Sequence, residues 1–348
     1  MKRNYTFSWV KTGLVVMLTA MILVLAACGA KLEQPANNSG NAGNQQTQAG
    51  ASGNKETDNA EKADEPSGEP AAASTAYPLS IKDATDTELV FEAAPQKVVT
   101  LLPSETEIMY AIDAGAELVG VDDFSNYPED TATKTKVGGM EANIEAIVGM
   151  KPDLVLASSS MNKPVIDKLR ELNVKVYASD PKTYDAVVEK IGTIGQIMDK
   201  AAKAAEVQEH MKDAKKQVED AVKDAARPKV YLEFSPGWTV GKGEFLDELI
   251  TIAGGTNIAE ETSWYEIDPE QVIKQNPDVI IYASMTVAEG ETNPILDAIQ
   301  KRPGWDTIQA MKDKKLFEVD QDPLVRVGPR LAEGLLEVAK KLHPELVK

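Results

Sequence analysis

Few side chains in this sequence could carry covalent chemistry. Its 348 residues include two histidines, His210 and His343, and one cysteine, Cys28. A multi-thiolate zinc site, a protein-held iron–sulfur cluster and a disulfide framework all need more than that. Neither histidine has a second metal ligand beside it in sequence, so both read as surface residues. The glycine-rich run Gly237-Trp238-Thr239-Val240-Gly241-Lys242-Gly243 invites a phosphate-loop reading. That motif needs four residues before its Gly-Lys pair and a Ser or Thr after it. Here the gap is three and Gly243 follows the lysine, so a turn or hairpin is the better account. No Gly-x-Ser-x-Gly elbow is present. With 55 acidic against 37 basic residues and a net charge of -18, clustered neutralisation of nucleic-acid phosphates is excluded. A carboxylate-pair hydrolase does not stand out against so acidic a background. The chemistry that remains is binding.

The residues suited to it are aromatic. Aromatics make up only 5% of the chain, so their placement carries information. Tyr127 lies in the loop Ser125-Asn126-Tyr127-Pro128, Phe234 and Trp238 flank Ser235-Pro236-Gly237, and Trp264 and Tyr265 precede a helix start at Asp268-Pro269-Glu270. Each tryptophan alone could be a plug for its own core. As a group they suit the lining of a cleft around a large, partly planar ligand. Near the carboxyl terminus, Arg326 and Arg330 bracket Gly328-Pro329, which reads as another helix start. A guanidinium offers several in-plane donors to amide, carboxylate or phosphate oxygens and is often oriented by a carboxylate such as Asp322. The competing reading is an Arg–Asp pair that ties the loop down.

Loops need elements to hold them. Short apolar runs recur at 98–102, 118–121, 154–157 and 174–177, and again at 230–233, 279–282 and 316–319, each followed by a helix-like stretch. Strands alternating with helices predict an α/β fold with largely parallel sheets. Between the two sets, residues 184–227 contain no proline, and from about Asp199 to Arg227 the chain is Ala, Lys, Glu, Gln and Asp with apolar residues at Val207, Met211, Val218 and Val222. These are helix formers, and a helix over that stretch would span roughly 43 Å. It could stiffen the connection between two lobes; a coiled-coil seam is the alternative. The expected organisation is therefore an N-terminal lobe over 77–183, a helical segment over 184–227 and a C-terminal lobe over 228–348.

The amino terminus reads as an address. Lys2, Arg3 and Lys11 precede an apolar run from Leu14 to Ala27 that is too short to span a bilayer, which needs ~20 residues. It ends in Leu25-Ala26-Ala27-Cys28-Gly29, which looks like a bacterial lipobox, so 1–27 is expected to be a lipoprotein signal peptide and Cys28 the lipidated residue. Residues 28–76 are dominated by Asn, Gln, Gly, Ser, Ala, Glu and Lys, a composition unable to offset its ordering entropy. A tether of that kind reaches about 35–40 Å.

One internal echo supports two related lobes. Asn143-Ile144-Glu145 leads through Lys151-Pro152-Asp153 into the run at Leu154, and Asp268-Pro269-Glu270 leads through Asn276-Pro277-Asp278 into the run at Val279. The order in both is cap, short helix, Pro-Asp turn, buried strand. A carboxylate in a first helical turn is favoured by the macrodipole alone, so Glu145 and Glu270 need no function to explain them.

In combination, Val99–Glu107, Asn126-Tyr127-Pro128, Asn143-Ile144-Glu145 with Lys151-Pro152-Asp153, Trp238–Lys242 and Arg326–Arg330 resemble the substrate-binding proteins of bacterial ABC importers for cobalamin and iron–siderophores. The resemblance implies two Rossmann-like lobes joined by one long rigid helix with the ligand cleft between them. It implies no catalytic residues, no metal of the protein's own, and no cofactor beyond the transported ligand. Within the group the chain is most similar to the cobalamin binders, with an iron–siderophore or haem as the alternative ligand; Met140 and Met161 are the candidates for a haem axial position. Ligand contacts carried over by the likeness are Ser104, Tyr127, Phe234, Trp238, Trp264, Asp322 and Arg326. Two further cleft tryptophans of that group are absent, with Gly139 and Ser158 in their neighbourhoods. Glu145 and Glu270 would dock on the ABC transporter permease. The protein would be a monomer, held outside the cytoplasm on the cell membrane by its lipid.

Overall fold

The central strands of the main sheets carry residues buried on both faces. Val98–Thr100 and Leu154–Ser158 are buried throughout, as are Val176–Ser179 and Val279–Ala283. Such continuous apolar strands sit in parallel sheets covered by helices on both sides. The computed structural model describes residues 74–288 and 290–348, which form part of one compact unit. The expected signal peptide, Cys28 and nearly all of the tether lie outside the described residues.

The first lobe holds a five-stranded parallel sheet. Its spatial order is Thr135–Lys136, Leu118–Val121, Val98–Thr100, Leu154–Ser158, Val176–Ser179. The second lobe holds a four-stranded parallel sheet ordered Thr256–Asn257, Lys229–Glu233, Val279–Ala283, Leu316–Val319. Two antiparallel ribbons complete the strands. Leu79–Lys82 pairs with Glu88–Phe91, and Trp238–Val240 pairs with Trp264–Glu266. The first ribbon was not expected from the sequence. The second converts what read as loops around Trp238 and Trp264 into a short, registered ladder.

The helical segment departs from expectation in its bounds. Instead of one rod over Asp199–Arg227, a helix at Tyr184–Ile197 turns at Met198–Lys200 into a second helix at Ala201–Val222. The break is set by Asp199, whose φ of 55° is left-handed and incompatible with helix. The longer helix has 22 residues, about 33 Å at the α-helical rise. Its buried stripe, Ala204, Met211, Ala214, Val218 and Val222, packs against Tyr184–Ile197 on one side and the closing helix Leu331–Leu342 on the other. That stripe is consumed within the chain, so it offers no coiled-coil seam. Tyr184 ties the pair together, its hydroxyl donating to the Met211 carbonyl at 2.8 Å. His343, expected on the surface, is instead buried at the end of the closing helix with Nε2 3.2 Å from the Gly254 carbonyl oxygen.

The internal echo is structural. Asn143 caps Ile144–Gly149 by accepting from the Ala146 N–H at 2.9 Å, and Asp268 caps Pro269–Gln275 by accepting from the Glu270 N–H at 2.9 Å. After each helix comes a left-handed residue, Lys151 at φ 51° and Asn276 at φ 49°. Each Pro-Asp turn then clamps the start of its lobe's first central strand. The Asp153 carboxylate accepts from the N–H groups of Gln96 and Lys97, both at 2.9 Å, and Asp278 accepts from that of Lys229 at 2.8 Å. Glu145 and Glu270 are therefore exposed in equivalent first turns, one per lobe.

Gly195 shows how tightly the helical hairpin is drawn. A Cβ there would overlap that of Ala204. Gly195→Leu is expected to force the two helices apart and destabilise the fold by about 1–3 kcal/mol. A thermal melt followed by circular dichroism should show Tm lowered by roughly 2–4 °C per kcal/mol.

Candidate functional site

Segments that follow the carboxyl ends of strands in the two sheets are joined by one buried carboxylate. Glu107 lies in the helix Pro103–Ala111 that follows the first central strand, with its side chain 2% exposed. It accepts from Arg326 Nη1 at 3.1 Å, from Arg330 Nε at 2.9 Å and from Arg330 Nη2 at 2.7 Å. Both arginines belong to the second lobe, on the segment after its last sheet strand. Arg326 also donates to Asn126 Oδ1 at 2.7 Å and pairs with Asp322 at 2.8 Å. Hydrogen bonds to Glu107 hold the Arg330 guanidinium firmly protonated, its pKa raised above the usual arginine range despite burial. Charge-assisted bonds of this kind are worth about 1.5–3 kcal/mol each. The final helix begins at Leu331 with Arg330 at its cap position, rather than at Gly328-Pro329, because Arg330 is held by this cluster.

The second lobe positions its aromatics through another buried carboxylate. Glu233 ends the strand Lys229–Glu233 and is paired bidentately by Arg302 at 2.8 and 2.8 Å. It accepts from the Tyr231 hydroxyl at 2.8 Å and from the Gly237 N–H at 2.8 Å. Burial, with Glu233 beside it, pushes the Tyr231 hydroxyl far above its usual range. Glu233 thus fixes the turn that carries Phe234 and Trp238. Trp238 pairs with Glu266 and Val240 with Trp264, so Trp238 and Trp264 are diagonal neighbours on one face of the ribbon. Trp238 is 44% exposed and Trp264 42%. Phe234 is buried behind them, its ring 6.4 Å from that of Trp264 in an edge-to-face contact. The glycine-rich run serves this ribbon rather than a phosphate. The Gly241 N–H donates to the Ser263 carbonyl at 2.7 Å, and a Cβ on Gly241 would overlap the opposing backbone.

In the first lobe the loop Asp122–Pro128 follows the strand Leu118–Val121. Asp122 organises it, accepting from the Phe124 N–H at 2.9 Å and from the Ser125 hydroxyl. Burial pushes the Asp122 carboxyl up, partly offset by those donors and by Lys136. The face of Tyr127 lies 4.2 Å from the Arg330 guanidinium. Tyr127 borders a cavity of about 560 Å³ on the long-helix side, together with Tyr110, Val207 and His210. A second cavity of about 470 Å³ lies within the second lobe, lined by Thr239, Tyr265 and Gln271 among others. Neither tryptophan of the ribbon lines either cavity.

Of the expected contacts, Tyr127, Asp322 and Arg326 are brought together around Glu107, and Phe234, Trp238 and Trp264 form a second group. Both groups follow carboxyl ends of sheet strands, and Glu107 links the segments of the two lobes that carry the first group. Arg326 is committed to protein partners, the loop-tying reading, with its side chain 11% exposed. Ser104 is buried, and its hydroxyl donates to Glu105 Oε2 at 2.6 Å. Sequence reasoning assigned no role to Glu107 or Glu233. It also passed over Phe124, whose only signal was an aromatic in a loop after a strand.

Among the described residues, the exposed large apolar side chains concentrate on these edges. Phe124, Tyr127, Met140 and Met161 crown the first sheet, and Trp238, Trp264, Met285, Val287 and Val325 the second. Val90, Leu172 and Leu346 lie elsewhere. Grouped exposure of this kind marks a binding surface, and strand carboxyl ends are where open α/β sheets receive ligands.

Comparison with known proteins shows the family. The family model for periplasmic binding proteins matches residues 98–323. The chain belongs to that family. A substrate-binding lipoprotein of an ABC transporter from Bacillus subtilis is 32% identical over 283 residues, 78% of this chain and 88% of its own. A cobalamin-binding protein of Halobacterium salinarum is 34% identical over 277 residues, 77% of this chain and 74% of its own. Among solved structures, a possible iron-binding periplasmic solute-binding protein of Staphylococcus epidermidis superposes with a TM-score of 0.63 at 29% identity, covering 72% of this chain and all of that one. This periplasmic binding protein is thus the substrate-binding component of an ABC transporter, with the two-lobed α/β fold of its relatives.

The junction makes a direct prediction. Glu107→Gln replaces a carboxylate oxygen with an NH2 facing cationic donors and removes the carboxylate that pairs Arg330, while Arg326 keeps Asp322 at 2.8 Å. Losing one partner of a buried ion pair costs about 3–5 kcal/mol. Urea unfolding should show a midpoint lowered accordingly, with native far-UV circular dichroism retained in the absence of denaturant.

Proposed function

We propose that this protein is an extracytoplasmic, lipid-anchored binder that captures a corrinoid, cobalamin foremost, and hands it to an ABC permease. The carrying observation is the apolar lining of both facing edges combined with arginines already paired inside the protein. Trp238 and Trp264 offer ring faces to a large flattened ligand and exclude water from it. Phe234 backs them and Tyr127 borders the junction. Asp322 and Arg326 hold the edge from which backbone groups meet peripheral amides. A catecholate siderophore carries negative charge and calls for several free cations, whereas Arg326 and Arg330 are both committed to Glu107. The identity to a cobalamin-binding protein supports the same choice. A haem reading rests on the exposed thioethers of Met140 and Met161.

The protein does no covalent chemistry in this account; it binds, orients and presents. Glu145 and Glu270, exposed in equivalent first turns, are the docking contacts for arginines of the permease. Cys28 carries the lipid, in keeping with a relative named as a lipoprotein. No described helix is long and apolar enough to cross a membrane.

Two experiments test this. Calorimetric titration of the full chain with cyanocobalamin and with ferric siderophores should give binding to cobalamin, weakened at least tenfold by Trp238→Ala with Trp264→Ala. A response to a siderophore alone would move the assignment to that class. Glu145→Arg with Glu270→Arg should abolish uptake in cells while leaving ligand affinity within twofold; normal uptake would refute the docking role.

A further inference from the structure

The second lobe presents two tryptophan rings, and a sandwiched flat ligand needs an opposing wall from the first lobe. Tyr127 has one ring face left to supply it. One face of its ring is covered by Arg330 at 4.2 Å, and the side chain borders the cavity beside the long helix. Phe124, three residues earlier, is more exposed. At 59% it is the most exposed large apolar side chain among the described residues. It stands on the loop leaving the carboxyl end of the strand Leu118–Val121.

Its position is built. The Asp122 carboxylate accepts from the Phe124 N–H at 2.9 Å. Asp123 locks the same loop to the neighbouring turn, its N–H donating to the Gly138 carbonyl at 3.0 Å and its carboxylate accepting from the Gly138 N–H at 3.2 Å. The ring then lies over Gly139, where an added Cβ would come 2.9 Å from Phe124 Cε2. Glycine at 139 therefore leaves room for one edge of the ring, which stays 59% exposed. Met140, the next residue, is 56% exposed on the same turn. Met161 is exposed after the strand Leu154–Ser158. That strand lies two places along the sheet, roughly 10 Å from the Phe124 strand at normal spacing. An aromatic ring flanked by two polarisable, adaptable thioethers suits a broad apolar face of irregular outline.

We propose that Phe124, flanked by Met140 and Met161, is the first-lobe wall of the ligand cleft and the residue that sets preference for a flat macrocyclic ligand. The inference rests on the corrinoid reading for the identity of the ligand, but not for the location of the wall.

The test titrates the full chain and its Phe124→Ala and Phe124→Trp variants with cyanocobalamin, haemin and a ferric hydroxamate siderophore. Phe124 is exposed, so the variants should keep the wild-type Tm, which is checked first. Phe124→Ala is expected to weaken cyanocobalamin at least tenfold, and Phe124→Trp to restore affinity within threefold. A ligand bound equally well by wild type and Phe124→Ala overturns the wall, whatever that ligand is. If the wild type ignores cyanocobalamin but binds haemin or the siderophore, and Phe124→Ala loses that binding, the wall stands and the corrinoid reading falls. Failure of the wild type to bind any of the three overturns both.

Discussion

The arrangement depends on one carboxylate shared between two guanidinium groups. Glu107 comes from the first lobe, and Arg326 and Arg330 come from the second, more than 200 positions along the chain. Desolvating these three charges is costly, and only the close, well-directed bonds among them, with Asn126 and Asp322 at the rim, compensate. The geometry that satisfies them also brings together segments that follow the carboxyl ends of strands in both sheets. A cleft between those ends follows from the same contact. Opening the lobes at this point would leave a buried charge without its partners.

The same device recurs with a different purpose inside each lobe. Glu105, two residues from Glu107, is buried against Lys190 at 3.2 Å and holds the first lobe to its own helix Tyr184–Ile197. Glu233 with Arg302 fixes the turn that presents the second-lobe aromatics. Buried ion pairs of this type specify orientation more than they add net stability. Here they place loops that have little apolar surface of their own, which leaves the exposed rings free for a ligand.

Local features were legible in the sequence and long-range ones were not. The apolar runs at Val98, Leu154, Val230 and Val279 became central strands because nothing but a covered parallel sheet can bury them. The caps at Asn143 and Asp268 were readable because capping is a matter of three or four residues. The long helix was expected from about Asp199 and begins at Ala201, but it ends at Val222 rather than Arg227. The ribbon at Leu79–Phe91 was missed because its strands are short. His343 read as exposed from its position in a charged terminal helix, but packing against Gly254 decides its burial. For the candidate site, the tryptophans were singled out by type and placement. Glu107 and Glu233 were not, because a glutamate's partner 69 or 219 residues away cannot be seen in its neighbours.

A double-mutant cycle between Glu107 and Arg330 tests the central claim most directly. Glu107→Gln, Arg330→Gln and the double variant would be unfolded in urea beside the wild type. A coupling energy of about 1.5–3 kcal/mol is expected, since either single change removes the bidentate charge-assisted bonds between the two side chains, Arg326 remaining on Glu107 throughout. Additivity within about 0.3–0.5 kcal/mol would mean that the two side chains do not share a contact in solution, and the facing of the two sheet edges would lose its cause.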